Sequence, residues 1–176
     1  VQGSAIGAIA AMGQQAVEPI LGIIENPQST EMQIGLANWA LTIVGDRAPQ
    51  ALHKATTSEN ANVRKASIFA LGSNIQTLDI EADKNLLVNA LLDPYAEIRA
   101  EAVTLLGKLD DTETAGPLLV PLLSDADIWV RKNCALSLMK LRATSSIEAL
   151  QERAKVEDDE VVLNVIKLAI AQLLKV

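Results

Sequence analysis

Side chains that commonly carry chemistry are sparse in this sequence. The single histidine, His53, is followed by Lys54, and the single cysteine, Cys134, has no histidine near it in sequence. A metal site needs several convergent ligands, and a nucleophilic thiol needs a neighbour that lowers its pKa. His53 therefore reads as a surface residue and Cys134 as a small core residue. Acidic groups cluster twice, as Asp125 with Asp127 and as Glu157, Asp158, Asp159 and Glu160. Each cluster stands just before an apolar, helix-periodic stretch, where carboxylates cap the helix and meet the positive end of its dipole. No phosphate-binding glycine loop, nucleophile elbow or zinc spacing is present. No cofactor, metal site or catalytic residue is expected from these patterns.

An arginine in a fixed setting does recur. Residues 93–107 show Asp93, then Ile98–Arg99, a small Ala102, Leu105–Leu106 and Gly107. The same order returns as Asp125, Val130–Arg131, Cys134 and Leu138, with Met139 in place of the glycine. It stands earlier as Ser58, Val63–Arg64, Ser67, Leu71 and Gly72. The arginines lie 35 and 32 residues apart (64 to 99, 99 to 131), the period of a two-helix repeat. Outward the pattern decays. Ala37 replaces the arginine upstream, before Ala40, Val44 and Gly45, and Leu163 replaces it downstream, among Val162, Ile166 and Ile170. The glycines are expected to stop and turn the first helix of each unit.

A second helix follows each stop, with apolar residues at spacings of three, four and seven, as in Ala115, Leu119 and Leu122. Pro19, Pro49 and Pro117 fall early in three of these helices, where a missing N–H is harmless. The spacing predicts helices near 2–12, 16–25, 30–44, 48–57, 61–71, 82–92, 95–106, 115–123, 127–141, 146–155 and 158–174, with an insertion at 73–81. No useful stretch alternates with period two, so no sheet is expected. The 176 residues suit a single domain, 1–176. The chain opens at Val1 without a methionine, as expected of a piece of a longer protein.

Composition agrees. The chain is 49% apolar but only 2% aromatic, so its core is built from Ala, Leu, Ile and Val, which let helices approach closely. A formal charge of −7 opposes nucleic acid and anionic membranes. No apolar run approaches the ~18 residues of a membrane span. A lone cysteine fits a reducing, cytoplasmic setting.

The order of acid, Val or Ile, Arg, small residue and glycine resembles HEAT repeats. It is most similar to the bacterial phycobilisome-lyase HEAT-like branch, as is the segment Ala16, Val17, Glu18, Pro19, Ile20 and Leu21. The resemblance implies an all-α, right-handed α-solenoid of five to six HEAT-like hairpins. It also implies a structural ladder of Asp93, Arg99, Asp125, Arg131 and Arg64 along the stack. Some HEAT-like proteins are iron-dependent deoxyhypusine hydroxylases built on His–Glu pairs. One histidine excludes that activity for this stretch of chain.

The reading that follows is a non-catalytic scaffold for a protein partner, binding through the second-helix face. Exposed positions there would be Glu18, Leu21, Gln50, His53, Lys54, Asn85, Val88, Asn89, Val120, Glu148, Glu152 and Arg153. Tyr95 and Trp129, beside the caps, suit interface anchors, and Trp39 lies outward on a first helix. The alternative carried by the resemblance is a bilin lyase subunit or phycobilisome-associated chaperone, in a family that attaches bilin pigments to phycobiliprotein cysteines, usually as paired subunits.

Overall fold

The structure, a computed structural model, describes residues 11–45, 47–73, 80–109 and 111–176. Most of the helix expected at 2–12 and the centre of the insertion at 73–81 lie outside these residues. Among the described residues every regular element is helical. The α-helices are α1 (Gln14–Glu25), α2 (Glu31–Gly45), α3 (Pro49–Ala55), α4 (Ala61–Ser73), α5 (Ile80–Ala90) and α6 (Ala96–Leu106). They continue with α7 (Thr112–Leu119), α8 (Ile128–Lys140), α9 (Ile147–Val156) and α10 (Glu160–Leu173), and short 3₁₀ turns cover Val120–Ser124 and Thr144–Ser146. The order is that of HEAT-like hairpins, so the all-α expectation holds.

Two compact units divide the chain, Val1–Leu86 and Leu87–Val176. In the first, α1 packs on α2, α2 on α4, and α3 on α4. Their shared core contains Val17, Ile20 and Ile24 of α1, Leu41 and Val44 of α2, Leu52 of α3 and Leu71 of α4. In the second, α8 packs between α6 and α10, and α9 packs on α10. Ile98, Leu105, Leu106, Leu119, Val130, Leu138, Leu150 and Ile166 are fully buried there. Each fits the helical spacing of its segment, so burial of one face per helix stabilises both units.

Three local expectations are corrected. Gly107 does not turn the chain through a left-handed conformation: its φ is −68°. A Cβ built on it would stand 2.9 Å from Ser137 Cα on α8, so glycine is needed there for close packing of two helices. Among the described residues the positive-φ glycine is Gly13, at 52°. Pro19 and Pro117 lie inside their helices, not in the first turn. Finally, α7 begins at Thr112, earlier than expected, because the Asp111 carboxylate accepts the Thr114 N–H. After Leu119 the helix tightens into the 3₁₀ turn that contains Pro121.

Candidate functional site

Every recurring arginine sits in the second turn of a first helix, at the fourth residue of α4, α6 and α8. From there Nη1 donates back to the two carbonyls of the preceding loop. Arg64 reaches Ser58 O and Glu59 O at 2.8 and 3.0 Å. Arg99 reaches Asp93 O and Pro94 O at 2.8 and 3.2 Å. Arg131 reaches Asp125 O and Ala126 O at 3.0 and 3.2 Å. The remaining guanidinium edge of two arginines faces the next repeat. Arg99 Nε and Nη2 donate to Asp125 at 2.8 and 2.7 Å, and Arg131 makes the same fork on Glu157 at 2.9 and 2.7 Å. Such bidentate, charge-assisted pairs are among the strong hydrogen bonds of proteins. They lace consecutive loops of the second unit side by side.

Asp125 takes the ladder position expected of it, but the capping expectation needs correction. Asp125 is not the helix cap. Asp127 is, accepting from Trp129 N and Val130 N, while Asp125 accepts the cap's own N–H at 2.9 Å. The same two-residue offset recurs where Asp93 accepts from Tyr95 N and Glu157 from Asp159 N. Ser58 accepts from Asn60 N in the same way. Glu157 is thus the ladder's acid, not a residue that merely complements a helix dipole. Its position 32 residues after Asp125 was the signal that could have found it.

Glu157 also accepts from Arg153 Nε and Nη2 at 3.0 and 2.8 Å, and its side chain is fully buried. The Arg131 bonds, helped by the Asp159 N–H and Arg153, outweigh burial and hold its pKa at about 2. At Asp125 burial pushes the pKa up, but the Arg99 bonds and the Asp127 N–H overcome it and the net direction is down. Cys134 is buried with Sγ 3.0 Å from Leu119 O, and burial drives its pKa well above the ordinary thiol value.

The expected contact residues fall in separate places. Trp129 and Tyr95 are exposed at the starts of α8 and α6, with Lys132 Nζ 3.9 Å above the Trp129 ring. Glu148 and Glu152 are exposed on α9, where Glu152 accepts from Lys155 at 2.6 Å. Asn85 and Asn89 are exposed on α5, His53 is half-buried on α3, and Trp39 is half-exposed on α2.

One set does converge. Glu18 and Leu21 of α1 and Gln50 and Lys54 of α3 line a groove of about 1170 Å³ inside the first unit. On α1 its wall is Gln14, Glu18, Leu21, Gly22 and Glu25, at offsets of 0, 4, 7, 8 and 11, hence one helix face. On α3 it is Gln50, Ala51, Lys54 and Ala55, and Val17 and Val63 lie at the apolar base. Leu21 and Ala51 are partly buried against the core, so apolar surface continues from the base up both walls. Glu25 and Gly22 were not singled out in sequence, though they stand seven and four residues from Glu18.

Among the described residues no group of three or more His, Cys, Asp or Glu side chains could hold a metal ion. No described helix is long and apolar enough to cross a membrane.

Hairpins laced by a recurrent arginine define a class, and residues 84–171, half of the chain, match the family described as HEAT repeats. The chain belongs to the HEAT-repeat family. It is 41% identical over 162 residues to the bilin biosynthesis protein MpeU of Synechococcus sp. (strain WH8020), covering 92% of this chain and 54% of that protein. The chain therefore spans about half the length of that relative. Among solved structures it resembles the complex of CpcE and CpcF of phycocyanin lyase from Nostoc sp. PCC7120, with a TM-score of 0.72, 20% identity and coverage of 88% and 98%. It also resembles human deoxyhypusine hydroxylase, with a TM-score of 0.57, 18% identity and coverage of 97% and 79%. At these identities the two structures support the fold alone.

The MpeU similarity corrects the functional expectation. The lack of a catalytic constellation in the sequence points to a scaffold without chemistry, but the relative is a protein of bilin biosynthesis, which favours the bilin lyase alternative. Helical repeats show why the inference failed. Their periodicity records which residues pack, and that record is the same whether the open face holds a peptide or a pigment.

Proposed function

We propose that this chain is part of a bilin-lyase-type protein that takes part in attaching a linear tetrapyrrole to a phycobiliprotein cysteine, acting with protein partners. The observation that carries this reading is the 41% identity to a bilin biosynthesis protein across nearly the whole chain. The state of Cys134 is consistent with it: the thiol is buried with a raised pKa, so this stretch of chain offers no accessible thiol to compete with the acceptor cysteine. The chain's part is to hold and orient. Protein contacts are proposed at the exposed Trp129 and Tyr95 and on the α9 face at Glu148 and Glu152, since large aromatics at an exposed edge suit partner anchoring.

The test incubates the purified chain with a bilin and an apo-phycobiliprotein, then separates the products under denaturing conditions. Pigment that stays with the phycobiliprotein is covalently attached. The expected result is faster or more selective attachment when the chain is present. Attachment of equal rate and equal site with and without it would refute the reading.

A further inference from the structure

The groove between α1 and α3 has two unlike walls. The α1 wall presents carboxylates at Glu18 and Glu25, about 10 Å apart along the helix at 1.5 Å per residue. The α3 wall presents an ammonium at Lys54 and an amide at Gln50, one turn apart. Between them runs apolar surface from Val17, Leu21 and Ala51. At about 1170 Å³ the groove lies just above the range of ~300–1,000 Å³ usual for small-molecule sites. That leaves room for a ligand of several rings.

Gly22 provides an independent observation. It lies inside α1 on the groove wall, where glycine weakens a helix by roughly 1 kcal/mol relative to alanine. Its backbone needs no glycine, since Gly13 has the positive φ in that region. Packing does not need it either: a Cβ built there meets nothing within 4 Å. A larger side chain there would project into the groove, and its absence leaves the helix backbone open to close approach.

We propose that the α1–α3 groove binds a linear tetrapyrrole, an assignment that rests on the functional reading above. Such a pigment is flat and apolar on its faces. It carries ring N–H groups along one edge and, when curled, two carboxylates on the other. The apolar base takes the face, Glu18 accepts the N–H groups that converge on the inner side of the curled pigment, and Lys54 pairs with an outward carboxylate while Gln50 donates beside it. Gly22 leaves space for a ring against α1. Charge-assisted pairing on both edges fixes which edge faces which helix.

Biliverdin and its dimethyl ester are the probes, titrated against the chain by visible absorbance and circular dichroism. Gly22→Leu fills the groove while improving helix propensity. It should weaken biliverdin at least tenfold with the melting temperature held or raised. Lys54→Gln should weaken biliverdin several-fold but leave the diester unchanged, because the diester lacks the carboxylates. If Gly22→Leu binds biliverdin as the wild type does, and Lys54→Gln treats acid and ester alike, the groove assignment is wrong while the pigment reading stands. If both variants bind biliverdin normally but lose an apo-phycobiliprotein, the groove holds polypeptide and the assignment is again wrong. If the wild-type chain neither binds biliverdin nor promotes attachment, the pigment reading itself fails.

Discussion

Glu157→Gln should be a costly exchange for its size. The carboxylate is fully buried and receives two bonds from Arg131, two from Arg153 and one from the Asp159 N–H. The amide keeps the shape but removes the charge, and it points an N–H₂ at guanidinium donors. Arg131, itself only 6% exposed at the side chain, retains Asp158 at 3.7 Å, but that carboxylate is 92% exposed and so recovers little. Breaking a buried pair from one side costs about 3–5 kcal/mol. The lowered pKa expresses the same interactions. Glu157 stands at about 2, against roughly 4.3 for an ordinary glutamate, and that gap is worth about 3 kcal/mol. The folded pKa is the lower one, so the contribution is fully present above the unfolded value. It is lost as the pH falls from about 4.5 towards 2. Urea melts of wild type and variant should differ by about 3 kcal/mol at pH 7, and the gap should shrink by about half between pH 5 and pH 3. A difference under about 0.5 kcal/mol at pH 7, or one that does not change with pH, would refute the ladder as a stabilising device.

Other perturbations probe other parts of the structure. Leu119→Ala removes a fully buried side chain and should cost about 2–5 kcal/mol in denaturant melts. Gly107→Ala forces a methyl against Ser137 and should cost about 1–3 kcal/mol as overpacking, whereas a change near zero would mean that α6 and α8 separate easily. Cys134 should stay unreactive to a thiol reagent in the native state and react on denaturation, since it is buried with a raised pKa. Trp129→Ala should leave the melting temperature nearly unchanged, because the residue is 58% exposed. If Trp129 anchors a partner, the same change should weaken capture of an apo-phycobiliprotein by about 2 kcal/mol. A sharp fall in melting temperature would mark it as a packing residue instead.

Much of the helical architecture could be read in the residues alone. Spacings of three and four placed Leu119, Val130, Leu138 and Ile98 on buried faces, and they are buried. The period of the arginines located the repeats, because a hairpin of fixed length must return each first helix to the same setting. What the periodicity could not contain was the distance between one repeat and the next. Arg99 spans 26 residues to Asp125, and Arg131 spans 26 to Glu157. Those partners become neighbours only when α6, α8 and α10 pack at a particular separation. That separation also decides that Gly107 makes room for Ser137 and is not there to turn the chain. It decides, too, that Asp125 takes an arginine while Asp127 caps the helix. The groove depends on packing in the same way. Glu18 and Lys54 lie 36 residues apart (18 to 54), and they line one cleft because α1 and α3 both rest on the same buried core. Sequence periodicity reports which side of a helix is apolar. Which polar residues then face each other across a gap is set by how the helices pack.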